Sequence, residues 1–86
     1  MANAIFNDDY AAVVETLKEV RIEAGLSQRQ LARCLQRSQS HVCMIENRQR
    51  RVELMEFCRI AVALGTTPES LLARVLQECS KVTTGP

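Results

Sequence analysis

The most restrictive feature of this sequence is the short connection between two adjacent helical patterns. Leu31 and Leu35 are apolar positions of the first pattern, and Val42 and Ile45 are apolar positions of the second. Only about three residues, 36–38, separate the two patterns. A connection this short predicts two helices that cross at a steep angle.

Three further helical patterns surround this pair, so that the predicted helices span about 8–24, 28–35, 39–47, 53–64 and 68–79. Ser27 and Gln30 form a capping box, and Ser38 and Thr67 precede two other helices as caps. Asn-Gly and Asp-Gly turn pairs are absent, and apolar and polar residues do not alternate for long. The prediction is an all-α five-helix bundle with an N-terminal arm over 1–7, a single domain over 8–79 and a flexible tail over 80–86.

Apolar residues recur at helical spacing in the last two patterns. In the fourth helix, the residues predicted to face inward are Leu54, Phe57, Cys58, Ala61 and Leu64. The fifth helix carries the apolar residues Leu71, Leu72, Val75 and Leu76.

Charge is distributed unevenly along the 86 residues, although the formal net charge is only +1. Residues 1–26 carry −3 and residues 53–86 carry −1, whereas residues 27–52 hold six arginines against one glutamate and carry +5. An ordinary solvated charged face is one interpretation of this pattern. The other is a local anionic partner.

Cysteine spacing and the N-terminus indicate a cytoplasmic protein with free thiols. The four cysteines, at 34, 43, 58 and 79, match no CxxC motif for a metal or a redox centre. Asp8 and Asp9 stand where a secretory signal would have its basic and apolar regions. The longest uncharged stretch, 60–68, is far short of a membrane span.

The short-turn helix pair has the geometry of a helix-turn-helix DNA reader. The residues around it resemble the phage repressor/Cro family, also called the XRE family. The matching run is Leu26-Ser27-Gln28…Leu31-Ala32…Leu35…Ser38-Gln39-Ser40…Val42…Ile45-Glu46-Asn47, followed by Ala61…Ala63-Leu64-Gly65 and Leu71-Leu72. The resemblance covers about three-quarters of the chain and implies a five-helix fold whose third helix enters the major groove.

The third helix carries the candidate base-reading residues. Gln39 and Ser40 lie in its first turn, and this pair looks like the base-reading pair of lambdoid repressors. A glutamine amide donates and accepts together, which matches the N6 and N7 atoms of adenine. Met44 aligns with a third base-facing position, where it can touch a thymine methyl. His41 and Cys43 on the same helix are further candidates for DNA contact.

Candidate phosphate contacts flank the third helix. Gln28 matches the family glutamine at the start of the second helix, where backbone N–H groups meet the DNA backbone. The remaining candidates are Arg37, Asn47, Arg48, Arg50 and Arg51. Such contacts fix the register of the protein on DNA and carry no sequence information.

The resemblance also implies an ion pair between Arg21 and Glu46 that fixes the first helix against the third. Several residues depart from the family pattern. The family often has glycine where Gln36 and Arg48 stand, and it often has an apolar residue where Arg37 stands. The residues at 36 and 37 therefore predict a turn that is looser or packed differently.

Three apolar residues, Ile22, Met55 and Val62, stand where the family usually has solvated polar side chains. Extra apolar surface of this kind often marks a contact with a partner.

The sequence therefore predicts a DNA-binding transcriptional regulator that reads a two-fold operator in double-stranded DNA. A homodimer is expected through the fifth helix and its neighbour, the fourth. A protein-interaction module, such as an antitoxin or an adaptor, is the alternative. No enzyme activity, cofactor or metal site is predicted, because no nucleophile motif occurs and His41 with Cys43 supplies only two metal ligands.

Overall fold

The computed structural model describes the backbone of residues 2–83 and the side chains of residues 9–79. Within them the chain forms five helices, which are α1 (Ala2–Glu23), α2 (Gln28–Leu35), α3 (Gln39–Glu46), α4 (Leu54–Ala63) and α5 (Pro68–Thr83). No strand occurs in the described part of the chain. The all-α five-helix prediction is confirmed.

Local capping explains where the inner helices begin. The Ser27 hydroxyl accepts from the Gln30 N–H at 3.0 Å, and the Gln30 side chain accepts from the Ser27 N–H at 2.8 Å. Ser38 accepts from the His41 N–H at 3.2 Å, and Thr67 accepts from the Ser70 N–H at 3.1 Å. Each bond satisfies an N–H group that a helix start leaves without a partner.

Both chain ends continue their helices further than the sequence indicated. Helix α1 begins at Ala2 instead of near Asp8, because residues 2–7 contain no glycine or proline to prevent it. The arm predicted over 1–7 is therefore helical from residue 2. Helix α5 extends past Cys79 to Thr83, so residues 80–83 of the tail predicted over 80–86 are helical. The rest of that tail, 84–86, lies outside the described residues.

One core holds the helices together, with α1 packed on α5 and α3, and α2 packed on α3 and α4. Its buried members include Leu17, Val20, Leu31, Ala32, Val42, Ile45, Ile60, Ala61, Leu64 and Leu71. These side chains come from every helix, so the core fixes α3 from both sides.

One residue predicted to face inward, Leu54, is exposed instead. It is the first residue of α4 and is 76% exposed, whereas Ile60, which was not predicted to face inward, is buried. Among the side chains of α5 described up to residue 79, Leu71 and Val75 are buried, and Leu72 and Leu76 are about half exposed. The four apolar residues at 71, 72, 75 and 76 cover a wider arc than α1 and α4 bury.

Candidate nucleic-acid interface

The turn between α2 and α3 is tight. The Gln36 N–H donates to the Arg33 carbonyl at 3.1 Å, and the Arg37 N–H donates to the Ala32 carbonyl at 2.9 Å. This is the Schellman closure of a helix end. It places Gln36 in the left-handed region with φ 57°. Of the two predicted outcomes, a looser or a differently packed turn, the looser turn is not observed, because the hydrogen bonds close the helix end without glycine.

The end of α3 repeats this closure at the other departure from the family pattern. The Gln49 N–H donates to the Met44 carbonyl at 2.8 Å, and Arg48 adopts φ 62°. Side chains other than glycine, asparagine and aspartate seldom adopt this conformation. Strained residues therefore stand at both ends of α3.

Helix α3 turns a polar face outward. Gln39, Ser40 and Met44 are exposed, Met44 by 39%. The Arg29 Nη2 donates to the Gln39 Oε1 at 3.5 Å, which is a long bond between exposed groups. Cys43 is half-buried on the border of this face, and its sulfur accepts from the Asn47 amide at 3.4 Å. The candidate base-reading residues Gln39, Ser40 and Met44 thus share one surface.

His41 is placed differently from these residues, because its ring faces helix α4. The His41 Nε2 lies 2.6 Å from the Glu56 Oε2, and the two side chains are only 11% and 9% exposed. Arg37, which is half exposed, approaches the same carboxylate oxygen at 3.9 Å. No local pattern indicated a carboxylate near His41, because Glu56 lies 15 residues further along the chain on another helix.

A second buried polar cluster joins α1, α2 and α3. Arg21 donates from Nε and Nη2 to the Glu46 carboxylate at 2.6 and 3.1 Å, and from Nη1 to the Leu26 carbonyl at 2.7 Å. The ion pair implied by the family resemblance is confirmed. Gln28 also donates to Glu46, at 2.8 Å. The Gln28 side-chain amide is thereby engaged within the protein.

The loop after α3 carries the remaining arginines. Arg48, Arg50 and Arg51 are exposed, and none of them forms an ion pair with the side chains described over 9–79. Tyr10 of α1 reaches this loop and contacts both Arg50 and Arg51. Sequence reasoning missed Tyr10, because nothing in a local pattern links residues 40 positions apart.

Residues 9–79 contain no group of three or more metal-ligating side chains from His, Cys, Asp and Glu. None of the described helices is long and apolar enough to cross a membrane.

The fold and this surface define a helix-turn-helix protein, in which α2 and α3 form the unit and α3 presents its polar face. A family model described as a helix-turn-helix domain matches residues 12–75. A solved structure of an XRE-family like protein from Pseudomonas syringae pv. tomato str. DC3000 is also similar to this chain. The two share 37% identity with a TM-score of 0.82, over 88% of this chain and 93% of that one. No match was found among curated proteins.

This chain belongs to the XRE family of helix-turn-helix proteins. Its family and fold support a DNA-binding regulator, and such a fold is typical of regulators and not of enzymes.

Proposed function

We propose that this protein is a sequence-specific transcriptional regulator that occupies an operator in double-stranded DNA. The observation that carries the proposal is the exposed face of α3 beside the arginines of the following loop. The face presents Gln39, Ser40 and Met44, and no carboxylate described over 9–79 pairs with Arg48, Arg50 or Arg51. A short helix of this kind fits the major groove and presents its first turn to base edges.

The roles divide by chemistry. Gln39 and Ser40 read base edges, and Met44 touches a thymine methyl. Cys43 lies at the border of this surface. The His41 ring contacts Glu56 and so holds α3 against α4. The phosphate contacts come from Arg37, Asn47, the three loop arginines and the start of α2 at Gln28. A regulator that occupies an operator works in the compartment that holds the DNA. The proposal therefore includes a cytoplasmic location.

Binding-site selection on random duplex DNA tests the proposal, with the purified protein at two salt concentrations. We expect enrichment of one site, and we expect Gln39→Ala to relax the preference at one base pair of it. Gln77→Ala, which removes an exposed glutamine of α5, is the matched control and should select the same bases. Enrichment of no sequence by the wild-type protein contradicts sequence-specific binding.

Salt dependence tests the phosphate contacts separately. Arg50→Gln should weaken binding to every duplex and lower the slope of log affinity against log salt by about one. Lys18→Gln removes an exposed basic residue of α1 that is not among the proposed DNA contacts, and it should leave the slope unchanged. Equal slopes for the two variants would exclude Arg50 as a phosphate contact.

A homodimer reading a two-fold operator is part of the proposal. Ile22, Met55 and Val62 are exposed as predicted, and Leu54, Leu72 and Leu76 extend the apolar surface on α4 and α5. A second copy of the chain would cover this surface and place two α3 helices about one turn of DNA apart. A sedimentation mass near the 9.7 kDa of one chain at micromolar concentration contradicts the dimer.

The same apolar surface favours the alternative function, a module whose main partner is another protein. A pull-down that recovers a stoichiometric protein partner, together with no salt-sensitive binding to DNA, selects that alternative. Salt-sensitive, sequence-selective binding by the protein alone selects the regulator.

A further inference from the structure

Helix α1 supplies one residue, Tyr10, that organises the basic loop after α3. The phenol OH of Tyr10 donates to the Arg50 carbonyl oxygen at 3.0 Å. The guanidinium of the next residue, Arg51, lies over the Tyr10 ring, 5.0 Å from its centre. One aromatic side chain therefore holds the backbone of one loop residue and the side chain of its neighbour.

The loop is also held at its other end, where it leaves α3. Arg48 and Gln49 close the helix through their backbone N–H groups, at 3.0 and 2.8 Å from the Ile45 and Met44 carbonyls. The left-handed Arg48 is part of this closure. Since both ends are fixed, the arginines project from an ordered backbone. A free loop would have to be ordered when its ligand binds, at a cost in entropy.

Between these two anchors lies an open cavity of about 490 Å³, lined by Tyr10, Arg48, Gln49, Arg50 and Arg51. Its lining residues are three arginines, one glutamine and one tyrosine, and none of the five is acidic. Arginine presents N–H donors in a planar fork that matches the oxygens of a phosphate. A cavity lined by these residues suits an anion.

We propose that Tyr10 is the positioning residue that shapes this cavity for a backbone phosphate of the DNA. The inference rests on the proposed function, which assigns the loop arginines to the DNA backbone, and it adds the residue of α1 that holds them in place. Tyr10 touches no base in this arrangement, so it sets affinity for all duplexes alike and leaves the base preference unchanged.

Two substitutions separate the contacts that Tyr10 makes. Tyr10→Phe keeps the ring under Arg51 and removes the hydrogen bond, so we expect affinity for any duplex to fall by up to about five-fold. Tyr10→Leu removes both contacts, and we expect a loss of up to about twenty-fold. Arg51→Gln should lower the salt slope by about one, and Tyr10→Phe should lower it by less, because it removes no charge.

Affinities are measured on one enriched duplex and one unrelated duplex, at a temperature where circular dichroism shows each variant folded. Equal losses on both duplexes for Tyr10→Phe and Tyr10→Leu support the proposal. Wild-type affinity and slope in both variants overturn it, and the proposed function then stands without it. If the wild-type protein binds no duplex, the proposed function fails, and this inference fails with it.

Inorganic phosphate serves as the probe for a free anion. Millimolar phosphate that shifts the amide resonances of 48–51 in the wild type but not in Tyr10→Leu would show that the cavity binds phosphate. The same shifts combined with unchanged DNA binding in the Tyr10 variants would assign the cavity to a free anion and overturn the assignment to DNA.

Discussion

Two arginine–glutamate pairs in this protein have similar hydrogen-bond distances and very different surroundings. Arg21 donates two hydrogen bonds to Glu46 at 2.6 and 3.1 Å, and Arg74 donates two to Glu23 at 2.7 and 3.0 Å. The side chains of the first pair are 10% and 5% exposed, whereas those of the second are 41% and 58% exposed. The first pair fixes α1 against α3, and the second lies on the outside between α1 and α5.

The turns that follow the helices also differ, between the surroundings of α3 and the rest of the molecule. The turns after α1 and α4 contain Gly25 and Gly65, with φ 75° and 80°, and glycine adopts this conformation without strain. The two turns that border α3 place Gln36 and Arg48 in the same conformation. The region around α3 thus combines buried ionic groups with strained side-chain-bearing turns, as is common where a protein binds its ligand. Distances alone do not reveal this difference, because burial decides how much each contact contributes.

The largest contrast should come from removing one carboxylate of each pair. Glu46→Ala leaves Arg21 buried without its partner, so we expect the free energy of unfolding to fall by about 3 kcal/mol. Glu23→Ala should leave the midpoint of urea unfolding almost unchanged, because water and salt screen the exposed pair. Similar midpoints for the two variants would show that burial does not separate the pairs.

The double variant Arg21→Met/Glu46→Leu sharpens the same comparison. Buried ion pairs can often be replaced by apolar groups of similar size at little cost. We expect this variant to recover most of the stability that Glu46→Ala loses. A loss that exceeds the single variant would show that the pair itself stabilises the fold.

Breaking the His41–Glu56 pair should lower the stability by an intermediate amount. Glu56→Ala leaves the mostly buried His41 ring without its acceptor. We expect the free energy of unfolding, measured in urea, to fall by about 2 kcal/mol. Arg37→Gln removes the other, more distant partner of Glu56, which is half exposed, and should change the stability by less than about 0.5 kcal/mol. Equal effects of these two substitutions would contradict the assignment of His41 as the main partner.

Substitutions in the turns after α2 and α4 should change the stability by smaller amounts, with opposite signs. Gly65→Ala should lower the stability by about 1 kcal/mol, because an added Cβ meets nothing within 4 Å and only the backbone conformation is penalised. Gln36→Gly should raise the stability by about 1 kcal/mol for the same reason. Thermal unfolding measures both. A stabilising Gly65→Ala or a destabilising Gln36→Gly would mean that side-chain contacts outweigh backbone strain.

The smallest effect concerns the titration of the exposed pair. The hydrogen bond from Arg74 lowers the pKa of Glu23 below its ordinary value. A lowered folded-state pKa means that the pair stabilises the fold above the ordinary pKa and that this contribution is lost as the pH falls through the folded-state pKa. Since Glu23 lies on the surface, NMR titration of its carboxyl carbon is the appropriate measurement. Arg74→Gln should return this pKa towards its ordinary value, and an unchanged pKa would contradict the cause.

Local sequence signals predicted the helices and much of the interface. The caps at Ser27, Ser38 and Thr67 act on N–H groups within three residues, so their effect can be read from the sequence. The inward positions Val42 and Ile45 follow from helical periodicity. The Arg21–Glu46 pair was accessible only through the family resemblance.

Contacts between distant parts of the chain were not accessible in this way. The exposed Leu54 and the buried Ile60 depend on where α4 meets its neighbours. Glu56 is buried against His41 from another helix, and Tyr10 reaches a loop 40 residues away. A pattern of neighbouring residues carries no information about contacts between distant positions of the chain. It therefore neither excluded His41 from the outward face nor suggested Tyr10.

The sequence by itself determined the five helices, the short turn between α2 and α3, and the concentration of arginines around α3, because capping, periodicity and charge are local properties of the chain. Only the tertiary structure decided which side chains face outward, which of two similar ion pairs is buried, and which residue of α1 holds the basic loop. These outcomes depend on how the helices pack and on the exclusion of water from the surfaces between them.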